Sequence, residues 1–395
     1  MNLKKRVKER KSKHNEIKFI NCKAYILAIG ILLFFLLAFN IMYRVSTVFA
    51  TGYAQNVYPY WVRSLGYLCS AAPFSVFELL IVIAICLLLF CIVKLIVLLC
   101  KYHKKAVRFR FWYYLKKYML NLVCIVLVCL LVYSLTCGVN YYRIPFSVSA
   151  NIKTKEHSTK DLKSLCRLLV EDANKYSEEI PLDEDGFFTI DNINLADTAA
   201  IAMEELSLKY PCLSDYYPDA KPIFFSKIMS YMNICGIYSP FTIEANYNND
   251  ITDTEIPFTI CHELSHLSGF MREDEANFIA YLGCMESDAI EFRYSGTLLA
   301  LIYVSNQVYE NCEWEEYDEI MSDLSIQASK DLDRQNLYWM EYEEKLQEFT
   351  IADKTIADIS SDVNNVYLQT NGQADGVQSY DRVTDLLLTY YEDEL

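Results

Sequence analysis

Apolar residues follow two regimes along this chain. In the first third they form three nearly unbroken runs: "AYILAIGILLFFLLAFNIMY" (24–43), "FELLIVIAICLLLFCIVKLIVLLC" (77–100) and "YMLNLVCIVLVCLLVYSLTC" (118–137). Each approaches or exceeds the ~20 apolar residues that a helix needs to cross ~30 Å of hydrocarbon. Three such runs before residue 140 predict three transmembrane helices rather than three buried core helices. Beyond residue 137 apolar positions recur at helical spacing instead, over 158–180, 194–210 and roughly 288–311, 313–349, 352–369 and 377–395. One segment, "SPFTIEANYN" (239–248), reads as a short strand, because Pro240 bars a helix interior and Thr242 and Ile243 suit extended chain. The predicted class is therefore a membrane α-helical N-terminal region followed by a mainly helical α+β domain. Its expected divisions are a basic tail (1–23), the three spans (24–137), a polar linker (138–157) and the domain itself (158–395).

Charge orients that plan. Residues 1–137 carry 19 Lys and Arg against Glu9, Glu16 and Glu78, a net of +16. Residues 138–395 carry 17 bases and 48 acids, a net of −31, and the two nets add to the −15 of the whole chain. The tail and the loop "KYHKKAVRFRFWYYLKK" (101–117) are basic, whereas the loop 44–76 holds only Arg44 and Arg63. The positive-inside rule then puts tail and second loop in the cytoplasm and the acidic domain outside the cell membrane. The first run is too long for the apolar part of a signal peptide, and no A-x-A-like site closely follows it, so it reads as a retained anchor. The lipid bilayer is thus an expected partner, and the domain's negative charge argues against nucleic acid. Eight of the 14 cysteines lie in residues 1–137, and the other six show no C-x-x-C spacing, so they read neither as a dense disulfide framework nor as soft-metal ligands, and one or two disulfides of undetermined pairing stay open.

The chemistry concentrates in "ICHELSHLSGFMREDEAN" (260–277). On a helix, His262 and His266 stand one turn apart on one face, where both imidazoles can bind one metal ion. Glu263 follows the first histidine and is placed to act as general base on a metal-bound water. A His₂Glu set suits Zn2+, one per chain, with a fourth position left for that water. The third ligand is expected from the acids that open the next helix. Glu273 has Asn277 at i+4, where an amide can orient a ligand imidazole, whereas the alternative, Glu275, has Ile279 there. Gly269 permits a sharp turn after the second histidine. His14, His103 and His157 receive no role.

"HELSH" followed by "EDEAN" resembles the gluzincin branch of the zincin metallopeptidases, in which a downstream helix supplies Glu within E-x-x-A-[DN]. The resemblance implies a zincin-like fold for the extracytoplasmic domain, His262, His266 and Glu273 as ligands, Glu263 as catalytic base and Asn277 as the group orienting a ligand. One departure stands out: six residues separate His266 from Glu273, far fewer than in thermolysin-like enzymes. The stretch "HLSGFMRE" is also similar to the tight glycine turn of metzincins, but Arg272 occupies the place of their third histidine. Taken whole, with "GIYSPFTIEAN", "FRYSG" and "YLQTNGQADGVQSYDRVTDLLLTYY", the chain also resembles an uncharacterised bacterial membrane protein family with three N-terminal spans and a zincin-like domain. Zincins generally bind substrate along a strand edge, and 239–248 is the candidate edge here. Glu244, Asn246, Arg293, Tyr294 and Tyr380 are candidate substrate or oxyanion contacts.

The expected function is a membrane-anchored zinc metallopeptidase, a hydrolase acting on peptides or proteins at the outer face of the membrane, with cell-wall amides as another substrate class. The alternative is a non-catalytic sensor or assembly protein with a structural metal. An intramembrane protease is disfavoured, because the motif lies more than a hundred residues beyond the last span and carries charges that hydrocarbon would penalise.

Overall fold

A computed structural model describes residues 22–101, 108–153, 155, 157–347, 355–371, 373 and 382–395. The chain is mostly helical, 72% helix, and divides into two compact units. One comprises the chain up to Phe39 together with Ile83–Leu131; the other comprises Asn40–Val82 and Val132–Leu395. Among the described residues, three helices are long and apolar enough to cross a membrane: α1 (Cys22–Val45), α5 (Val76–Lys101) and α6 (Arg108–Thr136, apolar from Phe111). Their apolar side chains, such as Leu37, Leu88 and Ile125, are exposed, as a lipid-facing surface requires.

The second unit takes in much that the hydrophobic pattern left as connection. The loop after the first span folds into α2 (Thr47–Asn56), α3 (Tyr58–Trp61), a π turn (Val62–Gly66) and α4 (Tyr67–Ser70). Tyr58 and Val62 are buried in the main core. The expected linker 138–157 is likewise structured in part: a 3-10 turn (Gly138–Tyr142) and α7 (Phe146–Ser149) follow the third span, and Phe146 stacks edge-on against Tyr210 and Phe270. Both segments are short and carry isolated apolar residues rather than a periodic stripe, which is why only packing reveals them.

From there, α8 (Thr159–Ser177) opens on a capping box of Ser158 and Asp161, and α9 (Leu195–Lys209) on Asn194. A three-stranded sheet follows: β1 (Lys221–Pro222), then α10 (Ser226–Tyr231), β2 (Gly236–Ser239) and β3 (Glu244–Tyr247), in the order β1-β3-β2. The single strand expected over 239–248 is thus two strands and a turn. Pro240 lacks the N–H a ladder needs, and Ile243 adopts φ 54°, so the chain reverses between Ser239 and Glu244. β3 pairs with β1 in parallel and with β2 in antiparallel register, Ile237 opposite Asn246. β3 is therefore central, and the outer strand on that side is β2.

The remaining helices are α11 (Ile256–Leu267), α12 (Glu273–Glu286), α13 (Ile290–Asn311), α14 (Trp314–Met321), α15 (Ile326–Gln347), α16 (Ile356–Thr370) and α17 (Val383–Tyr390). The pattern over 313–349 is two helices, broken at Ser322–Ser325; residues 348–349, 352–354 and 377–381 of the predicted helices lie outside the described residues. α11 is the centre of the unit, packed by α9, α12, α13, β2 and β3, with Ile260, Cys261 and Leu264 fully buried. α12 is buried from Glu273 to Cys284, polar first turn included. Placing acids there without solvent demands partners for them.

Candidate metal centre

α11 starts at Ile256–Pro257, where a proline costs no hydrogen bond, and carries the two histidines on its one partly open face. The rings stand nearly perpendicular with centroids 4.7 Å apart. Each ring is oriented through Nδ1. His266 Nδ1 lies 2.8 Å from the Phe270 carbonyl oxygen, which can only accept, so Nδ1 carries the proton and Nε2 the lone pair. His262 Nδ1 lies 2.7 Å from Asn277 Oδ1, so Nδ1 carries a proton here too and Nε2 is left to meet Glu273 or a metal ion. Both Nε2 atoms then face Glu273 Oε2, at 3.2 Å and 3.8 Å, and one ligand atom from each of the three residues falls within 4.8 Å of the others.

The turn that supplies the Phe270 carbonyl is built deliberately. Gly269 takes φ 81°, and a Cβ there would crowd the Arg143 guanidinium and the Tyr58 ring. Buried Arg143 donates to the carbonyls of Ser268 (3.0 Å) and Gly269 (3.3 Å) and lies over the Phe270 ring, 3.8 Å from its centroid. Burial lowers its pKa to about 10, which leaves it charged at neutral pH.

Glu263 completes the group. Its Oε2 is buried without a hydrogen-bond partner, and burial pushes its carboxyl up to about 8, against the pull of His262 and with the repulsion of Glu273. Burial drives His266 down to about 4, so it is neutral at physiological pH. Burial also acts to lower His262, but the hydrogen bond and charge of Glu273 outweigh it and leave that ring raised. β2 closes the other side of Glu263. A Cβ on Gly236 would overlap Glu263 Oε1 and lie 2.8 Å from both Glu263 Cγ and Thr259 Cγ2, so only glycine lets the strand approach this closely.

Next along β2, the Tyr238 ring lies 6.3 Å from His266, and its hydroxyl donates to the Thr136 carbonyl (3.0 Å) and meets the Tyr58 hydroxyl (3.0 Å). Thr136 is the last residue of α6. The group therefore sits beside the end of the third apolar helix, although more than a hundred residues separate the two along the chain.

The other sequence candidates are placed as follows. The Glu275 carboxylate turns away and accepts the Phe146 N–H (2.8 Å); burial raises it to about 7. Asp274 pairs with Arg382 (2.9 Å). Glu244 is buried, accepts the N–H groups of Val76 (3.1 Å) and Phe77 (2.8 Å) at the start of α5, and pairs with Lys221 (2.9 Å). Asn246 is buried in the central strand, with its amide nitrogen on the Ile237 and Glu244 carbonyls. Arg293 donates to the Ser287 carbonyl (2.6 Å), and buried Tyr294 donates to Asp331 (2.8 Å). Tyr380 lies outside the described residues. Sequence reasoning missed Gly236, Tyr238, Arg143 and the Phe270 carbonyl; of these only the turn around Gly269 left a local signal.

The donor set fits a divalent cation. Two imidazole nitrogens with fixed tautomers and one carboxylate oxygen converge beside a buried carboxylate with an unused oxygen, the combination Zn2+ takes while leaving one position open. The family model described as "Protein of unknown function (DUF3810)" matches residues 53–388, most of the chain, and the chain belongs to that family. No curated protein matches the chain, and no solved structure does.

Proposed function

We propose that this member of the DUF3810 family is a membrane-anchored zinc metallopeptidase with a zincin-like domain, which hydrolyses peptide bonds at the outer face of the cell membrane. One observation carries the reading: His262 Nε2, His266 Nε2 and Glu273 Oε2 converge next to the orphaned carboxylate of Glu263. A purely structural His–His–Glu site has no need of that fourth group. His262, His266 and Glu273 would hold the ion, which when bound acidifies a water and polarises the carbonyl under attack. A cation held by the three ligands would favour the ionised form of Glu263, whose carboxyl burial otherwise raises to about 8. Its Oε2 then takes the proton that the attacking water releases and hands it to the departing amine nitrogen, so the carboxylate returns to its starting state. Asn277 and the Phe270 carbonyl keep the two rings in the tautomer that offers Nε2. Gly236 keeps β2 against the Glu263 carboxylate, and β2, unlike central β3, is an outer strand of the sheet, the one of the two outer strands beside Glu263, along which extended substrate can lie. Glu275, engaged with Phe146, serves the fold. The outward placement rests on the basic tail and second loop.

The test is Glu263→Gln. The variant should keep about one zinc per chain and lose on the order of 10²–10⁴-fold in turnover. Undiminished turnover would remove Glu263 from the mechanism. A wild type that binds zinc, unfolds on chelation and cleaves no peptide would make the metal structural and the protein a sensor or assembly factor.

A further inference from the structure

The segment around α10, "PIFFSKIMSY" (222–231), leaves more of its large apolar groups outside than inside. Its buried face mixes Ile223 and Met229 with two hydroxyls: Ser226 Oγ lies 2.6 Å from the Ile223 carbonyl and 2.9 Å from Asn249 Oδ1, and Ser230 donates to Asp250 (2.9 Å). Its open face carries the large apolar groups, with Phe224 84% exposed, Phe225 49% and Ile228 57%, and Lys227 exposed among them. The two rings meet edge to face, centroids 5.1 Å apart. A short segment that turns two phenylalanines and an isoleucine outward while burying two serines presents an apolar patch that suits an apolar medium.

Its position identifies that medium. The amides of Phe224 and Phe225 donate to the two carboxylate oxygens of Glu78 (2.9 Å and 2.8 Å). Glu78 is in the first turn of α5, two residues past Val76, and the exposed leucines 79 and 80 follow at once. The rings are therefore pinned at the level where an apolar helix begins, with Phe74, also exposed, just before it. Aromatic rings and a lysine whose stem lies along apolar surface are the groups that settle at the boundary of hydrocarbon and headgroups.

We propose that Phe224, Phe225 and Ile228 bed into the bilayer leaflet that α5 enters at Val76, with Lys227 reaching lipid phosphates, so that the site-bearing unit rests on the membrane through its own surface as well as through its spans. The proposal needs α5 to span the membrane; it does not need the metal centre to be catalytic.

The test is photolabelling of the full chain in phosphatidylcholine–phosphatidylglycerol vesicles doped with a phospholipid carrying a diazirine in its acyl chain, with adducts mapped by mass spectrometry. Adducts are expected on Phe224, Phe225 and Ile228 as well as on α5. Phe224→Ser with Phe225→Ser, which keeps the backbone donors to Glu78, should lose the adducts on this segment and keep those on α5. Labelled α5 with an unlabelled wild-type segment would overturn the proposal, as would a second copy of the chain covering the face and excluding lipid. The wild-type result decides even if the double variant fails to fold.

Discussion

Gly236→Ala tests whether the Glu263 carboxylate must sit where the structure holds it. The new methyl would lie 2.8 Å from Glu263 Cγ and 2.8 Å from Thr259 Cγ2, and closer still to Oε1. Comfortable carbon contacts begin at about 3.5 Å, so roughly 0.7 Å of overlap must be relieved. β2 is held in four-residue register to β3, which is itself held by β1, and Thr259 is buried on α11. The softest element is the Glu263 side chain, whose Oε2 has no partner to lose. The carboxylate should swing aside by close to an ångström, a misplacement worth about 10² in turnover. Residual overpacking should cost about 1–3 kcal/mol of stability. The ligands His262, His266 and Glu273 are untouched, so metal content should hold. The assay pairs peptide-hydrolysis kcat with zinc per chain and the thermal midpoint. Wild-type kcat in a folded variant that keeps its metal would show that the carboxylate need not sit where β2 holds it.

Other perturbations separate the roles of neighbouring groups. Asn277→Ala removes the acceptor 2.7 Å from His262 Nδ1 and should weaken zinc binding by about 10–100-fold, read by competition with a chelator. Glu275→Gln should keep the metal, because an amide oxygen can still accept the Phe146 N–H. It should also change how stability responds to pH. The Glu275 pKa is raised to about 7 from 4.5, so its contribution is complete below pH 4.5 and fades as pH rises through 7. The glutamine variant lacks that loss and should gain up to about 3 kcal/mol on wild type between pH 5 and 8 in paired denaturation curves; parallel curves would contradict it. Glu244→Ala leaves the Lys221 ammonium buried without its anion and should cost about 3–5 kcal/mol, while any folded fraction keeps zinc. Loss of metal from folded material would instead tie Glu244 to the centre.

The parts of this protein that the sequence exposes are those governed by period. Three apolar runs announce three long apolar helices, and the i, i+4 spacing of His262 and His266 puts both rings on one face wherever α11 lies. Asn277 at i+4 from Glu273 is the same arithmetic one helix later. What the sequence hides is governed by long-range packing. Nothing local marks residues 44–76 as part of the site-bearing unit, because Tyr58 and Val62 are single apolar residues that find their partners across the fold. Glu244 looks like any strand acid until β3 brings it against the amides that open α5. The hairpin turn depends on Ile243 accepting φ 54°, which a β-branched residue rarely adopts. Separation along the chain also misleads about distance: a motif more than a hundred residues beyond the third apolar helix lies, through Tyr238, beside that helix's final carbonyl.

The proposed function rests on a zinc ion held by His262, His266 and Glu273. Its most direct test is the metal content of the purified full-length chain by elemental mass spectrometry, with wild type beside His262→Ala, Glu273→Ala and Glu275→Gln. About one zinc per chain is expected in wild type and Glu275→Gln, and none in the other two. Zinc retained by Glu273→Ala, or a folded wild type that takes up no zinc on reconstitution, would contradict it.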